Sequence, residues 1–259
     1  MDPHSLSLSV LVPAYNEVHT IGEVLEKVLR LSVPLREIVV IDDGSVDGTA
    51  EVVRRVAASD SRVKFFRQEK NRGKTAAIAC ALEQASGDIL LIQDADLEYD
   101  PADIPEVIQP ILAGKADVVY GSRFIVRRAA RVLYFYHYLA NRTLTFLSNL
   151  LTNRNMTDIE TGYKAFRAGV IKPLKLTSKG FGLEVEITAM ICKTQVRTYE
   201  VPISYYGRTY EEGKKIFFSD GVAAVFYILY FNLFKPLFPA ARRYVQTVNL
   251  WLSDSRPAK

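Results

Sequence analysis

The chain has 259 residues, with 33 Lys+Arg against 29 Asp+Glu and 49% hydrophobic and 11% aromatic residues, which excludes a disordered or fibrous protein and predicts a large domain that needs no staples. Its net charge of +4 hides two unlike halves: residues 1–120 carry 12 basic and 20 acidic side chains, net −8, and residues 121–259 carry 21 and 9, net +12. An acidic half can hold a metal and a basic half suits an anionic partner, be it phosphate, a membrane surface or nucleic acid; solvated charged faces give the same asymmetry.

Two cysteines, Cys80 and Cys192, cannot build a disulfide framework, so a reducing compartment is expected. The chain enters strand-like Leu8 to Val12 with no basic start or cleavage site, so no secretory leader is expected. Up to residue 120, short β-branched runs alternate with helical spacing. The predicted strands are Leu8 to Val12, Glu37 to Ile41, Val63 to Arg67, Asp88 to Gln93 and Asp117 to Gly121. The predicted helices between them are Ile21 to Leu31, Thr49 to Ala58, Lys74 to Ala85 and Ile104 to Leu112. Such a βα series is an α/β domain with a parallel sheet, whose ligands bind in the loops at the carboxyl ends of the strands.

Beyond Arg123 the pattern changes. A long aromatic and basic helix is predicted over Ala129 to Leu151, another over Leu183 to Lys193, and a strand over Val196 to Tyr206; the end after Trp251 reads as a frayed polar tail. Val222 to Phe234 is apolar nearly all round but shorter than the ~18–20 residues that span a bilayer. No transmembrane helix is expected. Basic Lys214, Lys215, Lys235, Arg242 and Arg243 bracket the segment, which could lie in a membrane interface, on the protein's own core, or against a second copy in a homo-oligomer. The Arg127–Arg131 run before Val132 to Phe135 offers a second interfacial stretch or a solvated face.

Two strand ends are dense in acids. Asp94-Ala95-Asp96-Leu97-Glu98 follows Ile89 to Ile92, and alternation puts the three acids on one side if the backbone stays extended. Mg²⁺ or Mn²⁺ takes one or two such carboxylates together with substrate phosphates; the competing reading is a helix cap, since Asp100 precedes a proline. Asp42-Asp43-Gly44-Ser45-Val46-Asp47-Gly48-Thr49 ends another strand and opens a helix. Capping accounts for Asp47 and Ser45, leaving an acid to accept hydrogen bonds from a base or ribose. Gly73-Lys74-Thr75 is not a P-loop, because Gln68 stands where that motif needs glycine, and no dinucleotide fingerprint follows any strand.

Five segments in order, Val12 to Glu17, Ile41 to Thr49, Asn71-Arg72-Gly73-Lys74, Gln93-Asp94-Ala95-Asp96 and Gly121-Ser122-Arg123, resemble glycosyltransferase family 2. Thr157 to Arg167, Gly180 to Glu186, Glu200 to Ile203 and Tyr206-Gly207-Arg208 resemble its branch of dolichyl-phosphate mannose and polyprenyl-phosphate glucose synthases, so that the likeness covers about residues 7–235. The resemblance implies a GT-A fold with a Rossmann-like, mostly parallel central sheet and C-terminal amphipathic or interfacial helices. It divides the chain into a catalytic domain over 1–215, with a nucleotide-sugar half (1–122) and an acceptor half (123–215), and a C-terminal apolar helix and basic tail over 216–259.

The implied reaction is inverting transfer of a hexose from UDP-glucose or GDP-mannose to a polyprenyl or dolichyl phosphate; the alternatives are the same core acting on a soluble or protein hydroxyl, and a non-catalytic module that binds nucleotide sugar or anionic lipid. The implied transfer would take place at the cytoplasmic face of a membrane, on a peripheral enzyme with no nucleic-acid partner. Pro13, Tyr15, Glu17, Asp43, Ala95 and Lys74 are then expected around the donor. Asp94 and Asp96 form the Asp-x-Asp element with Asp96 the main ligand of Mg²⁺ or Mn²⁺, and Glu98 stands where some family members have a metal-binding Gln. Arg123, Arg142, Arg208 and Lys214 are expected near diphosphate or acceptor phosphate. Asp94 and Asp158 are expected to orient groups, with no obligatory catalytic base.

Overall fold

A computed structural model describes residues 6–125, 131–132, 134–180, 182–207 and 218–255, the side chains of 218 and 219 excepted. Arg127, Arg128, Arg208, Lys214 and Lys215 lie outside the described residues. The first half follows the predicted alternation: β1 (Leu8–Ala14), α1 (Ile21–Leu29), β2 (Leu35–Asp42), α2 (Thr49–Ser59), β3 (Val63–Arg67), α3 (Lys74–Gln84), β4 (Ile89–Ile92), α4 (Ile104–Leu112) and β5 (Val118–Ser122). Then come α5 (Phe135–Thr152), β6 (Lys164–Arg167), α6 (Ala168–Ile171), α7 (Gly182–Ile191), β7 (Thr198–Pro202), α8 (Phe218–Leu229) and α9 (Pro239–Ser255).

Seven strands form one sheet in the order β3-β2-β1-β4-β6-β5-β7. Only β6 runs antiparallel, to both β4 and β5. Strand alternation divides the core in two, as expected for a sheet covered on both faces. Val10, Val12, Ile38 and Val40 face α1, α2 and α4, whereas Leu11, Val39 and Ile41 face a second cluster that draws on α3, α5, α7, α8 and α9. The order steps outward from β1 toward β2 on one side and β4 on the other, so a crevice opens beyond the carboxyl ends of these strands. Because β6 is reversed, with Lys164 opposite both Ile92 and Tyr120, the chain entering it lies at that same rim.

The second half departs from expectation in four places. Strand β6 was not predicted, its four residues being too short to show a period. Helix α5 begins at Phe135 rather than Ala129, Arg131 and Val132 being non-helical and Tyr134 extended, and it ends at Thr152 before Asn153, whose φ of 53° is left-handed. Strand β7 ends at Pro202, and Ser204 N–H donates to Asp103 rather than to a ladder. The stretch expected to fray is helical to Ser255, because Ala241, Tyr244, Val248 and Leu252 of α9 are buried along one face. No single helix among the described residues is long and apolar enough to cross a membrane; 220–237 and 239–255 pass that test only together, bent by 83°.

A buried carboxylate joins β2 to its neighbours. Glu37 is 1% exposed and accepts from Ser9 Oγ at 2.6 Å and from Ser86 N and Oγ at 2.6 and 2.9 Å, with Lys64 beside it. Burial raises its pKa, but these partners together outweigh that and hold it at about 2, against 4.5. The unfolded chain therefore takes up this proton first, so the stability Glu37 contributes is complete above pH 4.5 and is lost as pH falls toward 2. Urea unfolding from pH 7 to pH 3 is expected to show a slope that Glu37→Gln flattens, and an equal slope in the variant would refute this.

Candidate active site

The rim is assembled from four strand ends. At the end of β1, Asn16, two residues beyond Ala14, lies in the left-handed region, at φ 55°. Asn16 N–H donates to Ser45 Oγ, and Asn16 Oδ1 accepts from Val46 N. Pro13 is half-buried, and Tyr15 is 42% exposed. Glu17 accepts from Thr20 Oγ1 at 2.9 Å while its own N–H donates to Thr49. At the end of β2, Asp42 pairs with Arg67 and accepts from Ser45 N. Asp43 accepts from the N–H groups of Arg72 and Gly73 at 2.8 and 2.7 Å, which fixes the loop that delivers Lys74. The N-cap of α2 is Gly48, which supplies no side chain; Asp47, one residue earlier, accepts from Thr49 N and Oγ1, so the capping expected of Asp47 and Ser45 is not found.

At the end of β4 the backbone does not stay extended. Leu97 takes φ 60°, and Glu98 N–H donates to Asp96 Oδ1 at 3.1 Å in a tight turn. The three acids therefore do not share one strand face. Asp94 turns to Lys74, at 2.8 Å, and the same ammonium reaches Glu184 of α7 at 3.2 Å. Burial lowers the Lys74 pKa, but the two carboxylates more than reverse this and keep it charged. Glu98 accepts from the Tyr205 hydroxyl. Ala95 is buried, and Asp100 accepts from Ala102 N–H, so the capping role weighed for this loop belongs to that residue. Gly162 packs so closely on Asp94 that a Cβ there would overlap the carboxylate.

At the end of β5, Arg123 forms a fork with Asp158 through Nε and Nη2, both at 2.7 Å, and its N–H adds a third bond at 3.1 Å. Asp158 is fully buried. The chain around Asp158 is held by Glu200 of β7, which accepts from Thr157 N and Asp158 N. Arg142 is exposed on α5 but approaches the same corner: its Nη1 lies 3.5 Å from Thr157 O, and its guanidinium lies 6.0 Å from the Phe124 ring centre. Below the rim, burial and then the Glu184 charge favour the neutral form of Glu160, while burial lowers the Lys164 pKa against the pull of Glu184.

The structure thus gathers Lys74 with Asp94, and Arg123 with Asp158, within one charged cluster at one rim. Glu184, Tyr99, Gly162 and Tyr205 have places here that sequence reasoning did not assign. Glu184 lay inside a segment already singled out, and Tyr205 inside a presumed strand. Among the described residues no three acids, His or Cys gather into a metal site. Asp96, with hard oxygen donors presented on a tight turn, suits a cation whose remaining ligands come from substrate phosphates.

The sequence model of glycosyl transferase family 2 matches residues 9–174. The chain belongs to this family. It is 30% identical over 219 residues to a dolichol-phosphate mannosyltransferase of Pyrococcus furiosus, covering 82% of this chain and 61% of the relative. It is 28% identical over 210 residues to an undecaprenyl-phosphate mannosyltransferase of Micrococcus luteus, covering 79% and 85%. The chain thus spans about three fifths of the first relative's length. Among solved structures, glucosyl-3-phosphoglycerate synthase of Mycobacterium tuberculosis, in complex with Mn²⁺, UDP and phosphoglyceric acid, superposes with a TM-score of 0.67 at 20% identity over 90% of this chain and 80% of that one. This family 2 chain therefore has the expected GT-A fold, with the Asp-x-Asp turn after β4 and the Gly-Ser-Arg arginine after β5.

Proposed function

We propose that this family 2 glycosyltransferase moves a hexose from a nucleotide-diphosphate sugar, UDP-glucose or GDP-mannose, to a polyprenyl or dolichyl phosphate, with inversion. The observation that carries the reading is the commitment of the rim's acids. Asp158 is forked to Arg123 and Asp94 is paired to Lys74, so both orient cations rather than serve as a base. A hydroxyl acceptor needs its proton removed. A phosphate monoester, with a second pKa near 6, is about nine-tenths dianion at pH 7 and already nucleophilic.

In this reading Pro13, Tyr15, Glu17 and Asp43 border the nucleoside, with Ala95 beneath the diphosphate. Asp96 is the main ligand of Mg²⁺ or Mn²⁺, with Asp94 and Glu98 beside it. Such a cation supplies Lewis-acid stabilisation of the leaving diphosphate. Lys74 keeps Asp94 aimed at the rim, and Asp158 keeps the Arg123 plane fixed toward developing negative charge. Arg142, with Arg208 and Lys214 from the acceptor half, draws in the acceptor phosphate. The catalytic unit is 1–215, its nucleotide-sugar half at 1–122 and its acceptor half at 123–215. The remaining 216–259 docks on a membrane, at its cytoplasmic face.

Exposure supports the membrane part. Phe226, Leu229 and Leu233 are 65%, 37% and 49% exposed, while Ile228 and Phe231 on the opposite side are buried. These three side chains thus stand outside the core, while Tyr230 beside them packs partly against it. Helix α5 packs on α8 and adds exposed Phe135, Tyr136, Phe146 and Leu150. Exposed Arg242 and Arg243 follow on α9. Each such apolar side chain is worth roughly 1.5–3 kcal/mol when fully buried, and the basic residues add attraction to anionic lipid that salt screens.

Two measurements test these readings. Incubation of a nucleotide-sugar panel with short-chain polyprenyl phosphate and Mg²⁺ or Mn²⁺ should yield glycolipid, and sugar alcohols should yield nothing; product from the alcohols would overturn the acceptor assignment. Binding to anionic vesicles should fall as salt rises, and fall several-fold in a Lys214→Ala, Lys215→Ala, Arg242→Ala, Arg243→Ala variant. A dimer in solution that leaves vesicles unbound would give the face to a second copy instead.

A further inference from the structure

The turn that carries Asp96 is fastened from outside by the chain beyond β7. Tyr99 and Tyr205 form an isolated antiparallel bridge, and Tyr206 N–H donates to Glu98 O at 2.8 Å. The Tyr205 hydroxyl donates to Glu98 Oε2 at 3.0 Å. One residue earlier, Ser204 N–H donates to Asp103 Oδ2 at 2.5 Å. The Tyr205 ring lies between two others of the site: its centroid is 5.3 Å from that of Tyr99, and the Arg123 guanidinium sits 5.2 Å from its centre. Burial, then Tyr99 and Glu98, hold the Tyr205 phenol well above its ordinary pKa, so it remains a donor.

These contacts matter because of the turn's own conformation. Leu97 at φ 60° is a left-handed non-glycine residue, a state that costs of order 1–3 kcal/mol and persists only where the surroundings hold it. Tyr205 touches the held turn with its hydroxyl and the phosphate-side arginine with its ring. Glu98, where some family members have a metal-binding Gln, spends one carboxylate oxygen on this hold.

The geometry points to Tyr205 as a positioning residue that sets the Asp96 turn in register with Arg123, with Glu98 as its hydrogen-bond acceptor. The assignment rests on the cation-assisted transfer proposed above. It adds a requirement that the acceptor-half segment 203–207 form part of the donor site. Donor affinity and the placement of that segment are then linked.

The test uses the full chain and two readouts: hydrogen exchange of the 96–99 amides in the ligand-free protein, and calorimetric affinity for UDP and GDP with Mn²⁺ and with EDTA. Loss of one hydrogen bond of ordinary strength corresponds to about 2- to 13-fold. Tyr205→Phe is therefore expected to speed exchange at 96–99 by about that factor and to weaken Mn²⁺-supported nucleotide binding to the same extent, with little change in Tm. Glu98→Gln, whose amide oxygen accepts from the same phenol, should retain the exchange protection that Glu98→Ala loses. Tyr206→Ala, whose exposed side chain makes no part of the hold, serves as the control. Wild-type exchange in Tyr205→Phe overturns the proposal, as does Glu98→Gln exchanging as fast as Glu98→Ala. If the wild-type protein binds nucleotide equally with Mn²⁺ and with EDTA, the cation reading falls, and the exchange measurements still decide the role of Tyr205.

Discussion

Asp158→Ala is expected to destabilise the protein by about 3–5 kcal/mol and to lower glycolipid formation by about 100-fold or more. The carboxylate is fully buried and receives three hydrogen bonds from Arg123. Removing it leaves a guanidinium, 15% exposed, against the Phe124 and Tyr205 rings with its carboxylate partner gone. The stability and activity losses have separable causes. An Arg123→Met, Asp158→Ala double variant removes both charges and should recover much of the stability in urea unfolding, because the unpaired buried charge is gone. It should recover none of the activity, since the arginine itself is proposed to face the diphosphate. Recovery of both would mean that Arg123 serves only the fold.

Asp96→Ala is the second large effect. Loss of a group that holds developing charge at an active site typically costs about 10²–10³ in kcat. The folded state should suffer little, since the side chain is half-buried and its bond to Glu98 N lies within one turn. Raising Mg²⁺ or Mn²⁺ into large excess should not restore turnover. Unchanged turnover under those conditions would remove this turn from the chemistry.

The first half of the fold was legible because its signals are local. β3 and α4 begin and end where their period does, and the other elements up to β5 differ by a few residues at their ends. The carboxyl-end loops follow from a parallel sheet alone. What escaped was set by partners distant in sequence. β6 is strand because Ile92 and Tyr120 flank Lys164, not because Lys-Ala-Phe-Arg favours it. Tyr205 pairs with Glu98 across 107 positions. The acids after β4 illustrate the same limit within a site. Their residue types announced the chemistry, but alternation misplaced them, since one left-handed Leu97 redirects the chain. Lys74 was expected around the donor from its motif, but its pairing with Asp94 and Glu184 became visible only when α3, β4 and α7 converged.

The reversed strand has a consequence for how the molecule holds together. β6 comes from beyond residue 160, yet it is wedged between β4 and β5, which come from the first 122 residues. Cutting the chain after β5 would leave two neighbouring edges with nothing to pair against and would expose Leu90, Leu91 and Val119. The portions that differ so sharply in charge cannot melt or be proteolysed one at a time, so a ligand gripped by either one protects both.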